Sequence, residues 1–170
     1  MASAQDRLQP ALLDRLSDDQ RDHSSETSES RVMSRQKLRA AVLRDLSWLL
    51  NSTQPLGKLA AAYPQAAASV VNYGLPPLSG QLASRIEIGD IERDIRDAIV
   101  RFEPRILADT LEVRAVEFDN ALETHNIIEF EIRGFLWAQP VPLELMLRTQ
   151  LDLEAAQVVI RDASGTPLQR

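Results

Sequence analysis

The period of the apolar pattern changes at Pro104. Before it, the stretch from Ile86 to Phe102 places apolar residues at Ile88, Ile91, Ile95, Ile99 and Phe102. Steps of three and four put all five on one helical face, with Glu92, Arg93, Asp94, Arg96, Asp97 and Arg101 on the other. Proline has no N–H and disfavours helical geometry in the residue before it, so the helix ends there. Beyond it the alternation has period two: Leu111, Val113 and Ala115 against Glu112, Arg114 and Val116. A chain patterned this way is built as helices first and sheet afterwards. Glu103 and Arg105 flank the proline at the corner. Opposite charges at a forced turn make either a structural clasp or a site.

The other elements follow the same two periods. Ser34 to Asn51 is a helix with Ser34 as N-cap. Leu38, Val42, Leu46 and Leu49 are its buried stripe, widened by Ala41, Trp48 and Leu50. Pro55 to Gly80 is irregular, with short helical turns at Ala60–Ala62 and Ala66–Val71. Asn72 to Gly80 is a shaped loop that tucks Tyr73, Leu75 and Leu78 under the helices. The start of the second helix falls between Ser84, which has capping-box spacing to Glu87, and Asp90. After Thr110–Val116, a turn at Asn120–Thr124 leads to Ile127–Trp137, with Ile128, Phe130, Ile132 and Leu136 on one face. Gln139 to Pro142 breaks the run, and Leu143–Leu153 alternates again. A turn at Glu154–Gln157 precedes a short last strand, Val158-Val159-Ile160. One apolar sheet face and two apolar helical stripes predict a two-layer α+β domain. Two main helices pack on one face of a three- or four-stranded antiparallel sheet.

Ahead of this domain lies an extended N-terminal tail. Leu8, Leu12, Leu13 and Leu16 form a short apolar island, followed by an almost wholly polar stretch from Ser17 to Arg31. A leucine motif on a polar tether has the form of a docking peptide, or of a terminus packed weakly on its own domain. The expected organisation is a docking peptide and linker over 1–31, the α+β domain over 32–163 and a C-terminal tail over 164–170.

Much chemistry is excluded. Cysteine is absent, and His23 and His125 give no metal-ligand spacing, so neither thiol catalysis nor a metal centre is expected. No phosphate-cradling glycine loop or nucleophile elbow occurs, and no cofactor is implied. The net charge of −6 argues against bulk binding of nucleic acid. No window approaches the roughly 20 apolar residues of a membrane span. Met1 is followed by polar sequence without a secretory apolar run, so a cytoplasmic location is expected. Glycoside hydrolysis is the one enzymatic arrangement to weigh, with Glu103 paired to Asp109 or Glu112. A general acid needs an uncharged, apolar setting. Arg101 and Arg105 beside Glu103 favour an ionised carboxylate, which has no proton to donate. The edge of the last strand, Val158 to Ile160, offers unpaired backbone groups to a partner strand, unless Arg161 and Asp162 blunt it.

Four stretches, in order, resemble a known family: Leu12 to Leu16, Arg44 to Asn51, Ser69 to Pro76, and Arg101-Phe102-Glu103-Pro104-Arg105. The chain is similar to the TssE baseplate subunits of type VI secretion systems. These are homologues of the contractile-phage baseplate subunit that initiates the tail sheath, and carry a historical "tail lysozyme-like" label. Pro77 departs from the acidic residue frequent in the family. The resemblance implies a structural, non-enzymatic wedge component that starts sheath polymerisation by strand exchange. It implies that Glu103, Pro104 and Arg105 support contacts with neighbouring subunits, and that Leu8 to Leu16 docks on other wedge components. The implied partners are the baseplate proteins TssF, TssG and TssK and the sheath proteins TssB and TssC. The alternatives are a muramidase and a soluble regulatory adaptor that uses the same sheet edge.

Overall fold

The computed structural model describes residues 12–16, 35–77, 87–116, 127–138 and 141–163. Its order is helix α1 (Leu12–Leu16), α2 (Arg35–Leu50), α3 (Pro64–Ala67) and α4 (Ile88–Phe102), followed by strands β1 (Glu112–Val116), β2 (Ile127–Leu136), β3 (Leu143–Asp152) and β4 (Gln157–Asp162). Single 3-10 turns lie at Gly57–Ala61, Val70–Asn72 and Ala108–Thr110. The sheet is an antiparallel meander in the order β1-β2-β3-β4, so β1 and β4 are its edges. The expected α+β class and two main helices are therefore observed, with four strands. The Ser34 cap, the second-helix starts before Glu87, Leu78 and the Asn120–Thr124 turn lie outside the described residues.

One face of the sheet is dry. Phe130, Ile132, Leu136, Leu145, Leu147 and Leu151 are fully buried and join Leu46, Leu49, Ile95 and Ile99 of the helices in a single core. The other face alternates outward, as period two requires. Thr149 is the polar member of the buried row, and its hydroxyl donates to the Phe130 carbonyl at 3.2 Å. That bond removes the cost of an unpaired hydroxyl in the core.

Three sequence expectations are corrected. Trp48 was placed in the buried stripe of α2 but is half exposed, whereas Leu43 is buried. Ile88 was placed with the inward isoleucines but is 49% exposed. Ile88 is the first residue of α4, beyond the reach of the layer below. Ala98 packs in the core alongside Ile91, Ile95 and Ile99. The strand expected from Thr110 begins instead at Glu112. Thr110 is held in the preceding turn, where its hydroxyl donates to the Leu107 carbonyl and accepts the Phe135 N–H.

The loop after α2 is fixed by backbone. Leu75 N–H donates to the Ser52 carbonyl and Gln54 N–H to the Leu75 carbonyl, both at 2.8 Å. Between them Gly74 adopts φ +118, and a Cβ there would stand 2.3 Å from the Ser52 oxygen. Only glycine fits both the left-handed backbone and the close approach. This loop buries Leu75 and Asn72 beside the core.

Candidate functional site

The corner after α4 is where the two layers meet. The helix ends at Phe102, and Glu103 N–H still bonds the Ile99 carbonyl at 2.8 Å. Past Pro104 the chain pairs with the far end of β2. Arg105 carbonyl accepts from Trp137 N–H at 2.7 Å, Leu107 N–H donates to Phe135 carbonyl at 2.9 Å, and Ile106 bridges Leu136. The corner thus extends the β1 side of the β2 ladder, with the turn at Ala108–Thr110 between them.

Glu103 is 3% exposed, a buried carboxylate at the end of a helix. Arg105 meets it fork to fork: Nε to Oε1 at 2.6 Å and Nη2 to Oε2 at 2.5 Å. The Arg105 backbone N–H adds a third contact, to Oε1 at 3.2 Å. Pro104 makes this possible, because the turn it forces folds residue 105 back over residue 103. Bidentate charge-assisted bonds are the pairing that a buried carboxylate requires.

The guanidinium continues to a second helix. Arg105 Nη2 lies 2.5 Å from Asp45 Oδ2 of α2. Asp45 Oδ1 accepts from Arg44 Nε at 2.9 Å, and Arg44 Nη1 reaches Asp14 Oδ1 of α1 at 2.5 Å. Five charges therefore alternate in sign along one line, Glu103, Arg105, Asp45, Arg44 and Asp14. The line crosses from the corner over α2 to the N-terminal segment. Burial works against the Arg105 charge, but the Glu103 and then the Asp45 carboxylates outweigh it, and the net effect raises its pKa. Arg44 is likewise raised, first by its bond to Asp14. Tyr73 closes the side of the line, its hydroxyl donating to the Asp45 carbonyl at 3.4 Å and its ring meeting Phe102 edge-on at 5.2 Å. Burial, and then the Asp45 and Glu103 charges, push the Tyr73 phenol up, so it stays neutral.

Around this line the surface is partly apolar. Arg44 stacks over the Trp48 ring at 5.1 Å. Leu13 and Leu16 of the predicted docking motif stand on α1 with 46% and 74% exposure, and Leu12 belongs to the same helix. Leu8 lies outside the described residues. Asp14 therefore ties the segment to α2 while two of its leucines face outward.

The predicted strand-capture residues form β4. Val158 and Ile160 point into the core, and Val159 is half exposed on the open face. Asp162 is not a free charge at the edge. Its carboxylate receives Arg39 of α2 in a fork, Nε and Nη2 both at 2.7 Å, and Arg39 Nη1 also bonds the Glu144 carbonyl at 2.8 Å. The structure thus separates two regions, a corner joined to α1 through α2 and an edge strand stapled to α2.

Sequence reasoning found Glu103 and Arg105 because they are two residues apart across a proline. It assigned no role to Asp45 as their partner. Asp45 sits directly before Leu46 on the flank of the buried stripe, the position from which a carboxylate reaches a neighbouring element. The carboxylates weighed for hydrolysis do not form a working pair. Both Glu103 oxygens are taken by Arg105, while Glu112 is exposed and pairs with Arg114 at 3.1 Å. Among the described residues no group of three or more His, Cys, Asp or Glu could hold a metal ion. No described helix is long and apolar enough to cross a membrane.

Residues 36–141 match the family described as baseplate wedge protein gp25. No curated protein and no solved structure matches the chain.

Proposed function

The chain belongs to the gp25 family of baseplate wedge proteins, a structural part of contractile-tail machinery, and from that premise we propose that it initiates the sheath of a type VI secretion system. In this reading it is the TssE subunit, a wedge component that joins the baseplate to the sheath. The sheet edge at Val158–Ile160 captures a strand of the first sheath ring. Backbone hydrogen bonds give the capture its strength, and the alternation of side chains sets its register. The neighbours are TssF, TssG and TssK in the wedge and TssB and TssC in the sheath, on the cytoplasmic side of the inner membrane.

The observation that carries the reading is the line of charges from Glu103 to Asp14. It locks the helix-to-sheet corner and, at its other end, presents the α1 leucines outward. A clasp of this kind holds a docking segment and a sheet in fixed relation, which a joint between two assemblies requires. It has no use in hydrolysis, since Glu103 is buried and fully engaged.

Glu103, Pro104 and Arg105 serve the assembly by positioning the surface around them. Charge reversal at Arg105 alone would set a third carboxylate beside Glu103 and Asp45 and would confuse misfolding with lost contact. The informative variant is Glu103→Leu with Arg105→Leu, which removes the pair while keeping the corner filled. The expected outcome is a folded protein that no longer supports sheath assembly in cells and no longer co-purifies with wedge subunits. Wild-type sheath formation by this double variant would refute the role of the corner. Release of peptidoglycan fragments by the wild-type protein, lost in Glu103→Gln, would establish the muramidase instead.

A further inference from the structure

The β4 edge is occupied by a side chain. Asn51 follows the last residue of α2, and its carboxamide meets the backbone of Val158 on the side away from β3. Asn51 Oδ1 accepts the Val158 N–H at 2.9 Å, and Asn51 Nδ2 donates to the Val158 carbonyl at 2.9 Å. These are the two bonds that one residue of an added strand would make. The amide is aimed by its second hydrogen, which goes to the Ser47 carbonyl at 2.8 Å. Asn51 is nevertheless an exposed residue, so a partner has access to it.

The register extends the argument along the strand. Val158 pairs with Leu151, Ile160 with Thr149 and Asp162 with Leu147. In an antiparallel ladder, outward-facing backbone groups recur at every second residue. Val158, Ile160 and Asp162 therefore share the outer row. Asn51 holds one end of that row and Arg39 grips the Asp162 side chain at the other. Helix α2 and the residue after it thus reach β4 at both ends of the row.

The opposite edge is blocked differently. Glu92 of α4 accepts the Ala115 N–H of β1 at 2.6 Å. A carboxylate acceptor makes roughly twice as strong a bond as a neutral one. An incoming strand that displaced Glu92 would replace it with a neutral carbonyl and lose that strength. At β4 a neutral amide is exchanged for a neutral peptide, so the hydrogen bonds lost and gained are alike. Of the two edges, β4 is the one where exchange is nearly even.

We propose that Asn51 is a stand-in for the first residue of a captured strand, closing the β4 edge in the free subunit and yielding it when an extended partner strand pairs there. This rests on the reading of β4 as the capturing edge. An exposed backbone edge is an aggregation hazard, and a side chain that mimics a strand residue removes the hazard without preventing capture.

Amide exchange of the full chain, read by NMR, tests the plug directly. Val158 N–H is expected to exchange about tenfold faster in Asn51→Ala than in wild type, the worth of one to two hydrogen bonds. Core amides are expected to stay unchanged. Asn51→Leu, which keeps the size but offers Val158 neither acceptor nor donor, is read beside it as a second variant and speeds Val158 as well. In cells, Asn51→Ala is expected to start sheaths sooner and more often. Equal Val158 exchange in wild type and both variants overturns the plug and leaves the capture reading intact. Fast exchange with unchanged sheath initiation overturns its displacement. The capture reading is tested separately by Val159→Lys, an edge charge on an exposed position. Loss of sheaths supports β4 as the capturing edge, whereas normal assembly overturns that reading and with it the role of Asn51 in capture.

Discussion

Arg105→Leu is the sharpest test of what holds the domain together. The substitution removes both arms of the fork on Glu103 and the contact to Asp45. Glu103 is then a carboxylate at 3% exposure facing an apolar side chain. Breaking a buried ion pair from one side costs about 3–5 kcal/mol, because the remaining charge is neither hydrated nor paired. A domain of this kind has about 5–15 kcal/mol in total, so the variant loses about a fifth of its stability or more. Since Tm moves roughly 2–4 °C per kcal/mol at this size, a drop of about 6–20 °C is expected. Urea unfolding followed by circular dichroism gives the free energy. Glu103→Leu with Arg105→Leu separates the two causes. Replacing both partners by apolar groups of similar size is often neutral, so the double variant should recover most of the loss. Arg105→Lys keeps the charge but not the fork and should fall between, losing about 1.5–3 kcal/mol. If Arg105→Leu costs less than about 1 kcal/mol, the range of an exposed pair, or the double variant is no better than the single one, the clasp is not a buried pair and the reasoning fails.

Gly74→Ala should destabilise the fold by about 3 kcal/mol, from strain at φ +118 and a clash with the Ser52 carbonyl, measurable as a shift in urea midpoint. Trp48→Ala should lower stability by no more than about 1 kcal/mol, since the half-exposed ring contributes chiefly its stacking with Arg44. If that ring faces a wedge partner, the same variant loses co-purification while its Tm holds. Asp94 supplies the pH test. Burial, and then the Asp90 charge, raise its pKa in the folded state. The folded form therefore binds more protons than the unfolded form just above the ordinary Asp range, and this group's contribution to stability falls as pH rises through that window. Asp94→Asn should accordingly raise Tm at neutral pH and lose that gain near about pH 3, below the ordinary Asp value.

What was legible in the sequence is what repeats locally. The stripes of α2 and α4 and the alternation of the strands follow from periods of 3.6 and 2, and these alone gave the two layers. The misplacements fall where a helix face runs out. Ile88 has the right phase but stands at the first turn, and Trp48 stands on the margin of its stripe, where Leu43 proved the better-buried neighbour. Long-range polar contacts were not legible. Asn51 to Val158 spans 107 residues and Arg105 to Asp45 spans 60. No local pattern encodes such a pair, because Asn51 and Asp45 each read alone as an ordinary polar residue. The Glu103–Arg105 pair was the exception, since proline brought both ends within two positions.

The alternation of charge along the corner line has a consequence for how its members depend on one another. Each interior residue separates two groups of like sign. Removing Asp45 leaves the Arg44 and Arg105 guanidinia without the carboxylate they share, and removing Arg44 leaves Asp14 and Asp45 facing each other. A single deletion thus costs both its own contacts and a new repulsion, so single losses along the line sum to more than the joint loss. Asp14 is a terminal member, and its loss leaves Arg44 paired with Asp45 and creates no like pair. Asp14→Ala should therefore be the mildest substitution on the line for stability, while releasing the α1 leucines from α2. The segment proposed to dock on neighbours is held by the one link whose opening costs the clasp least. That is the arrangement expected of a tether that can be handed to a partner while the corner stays closed.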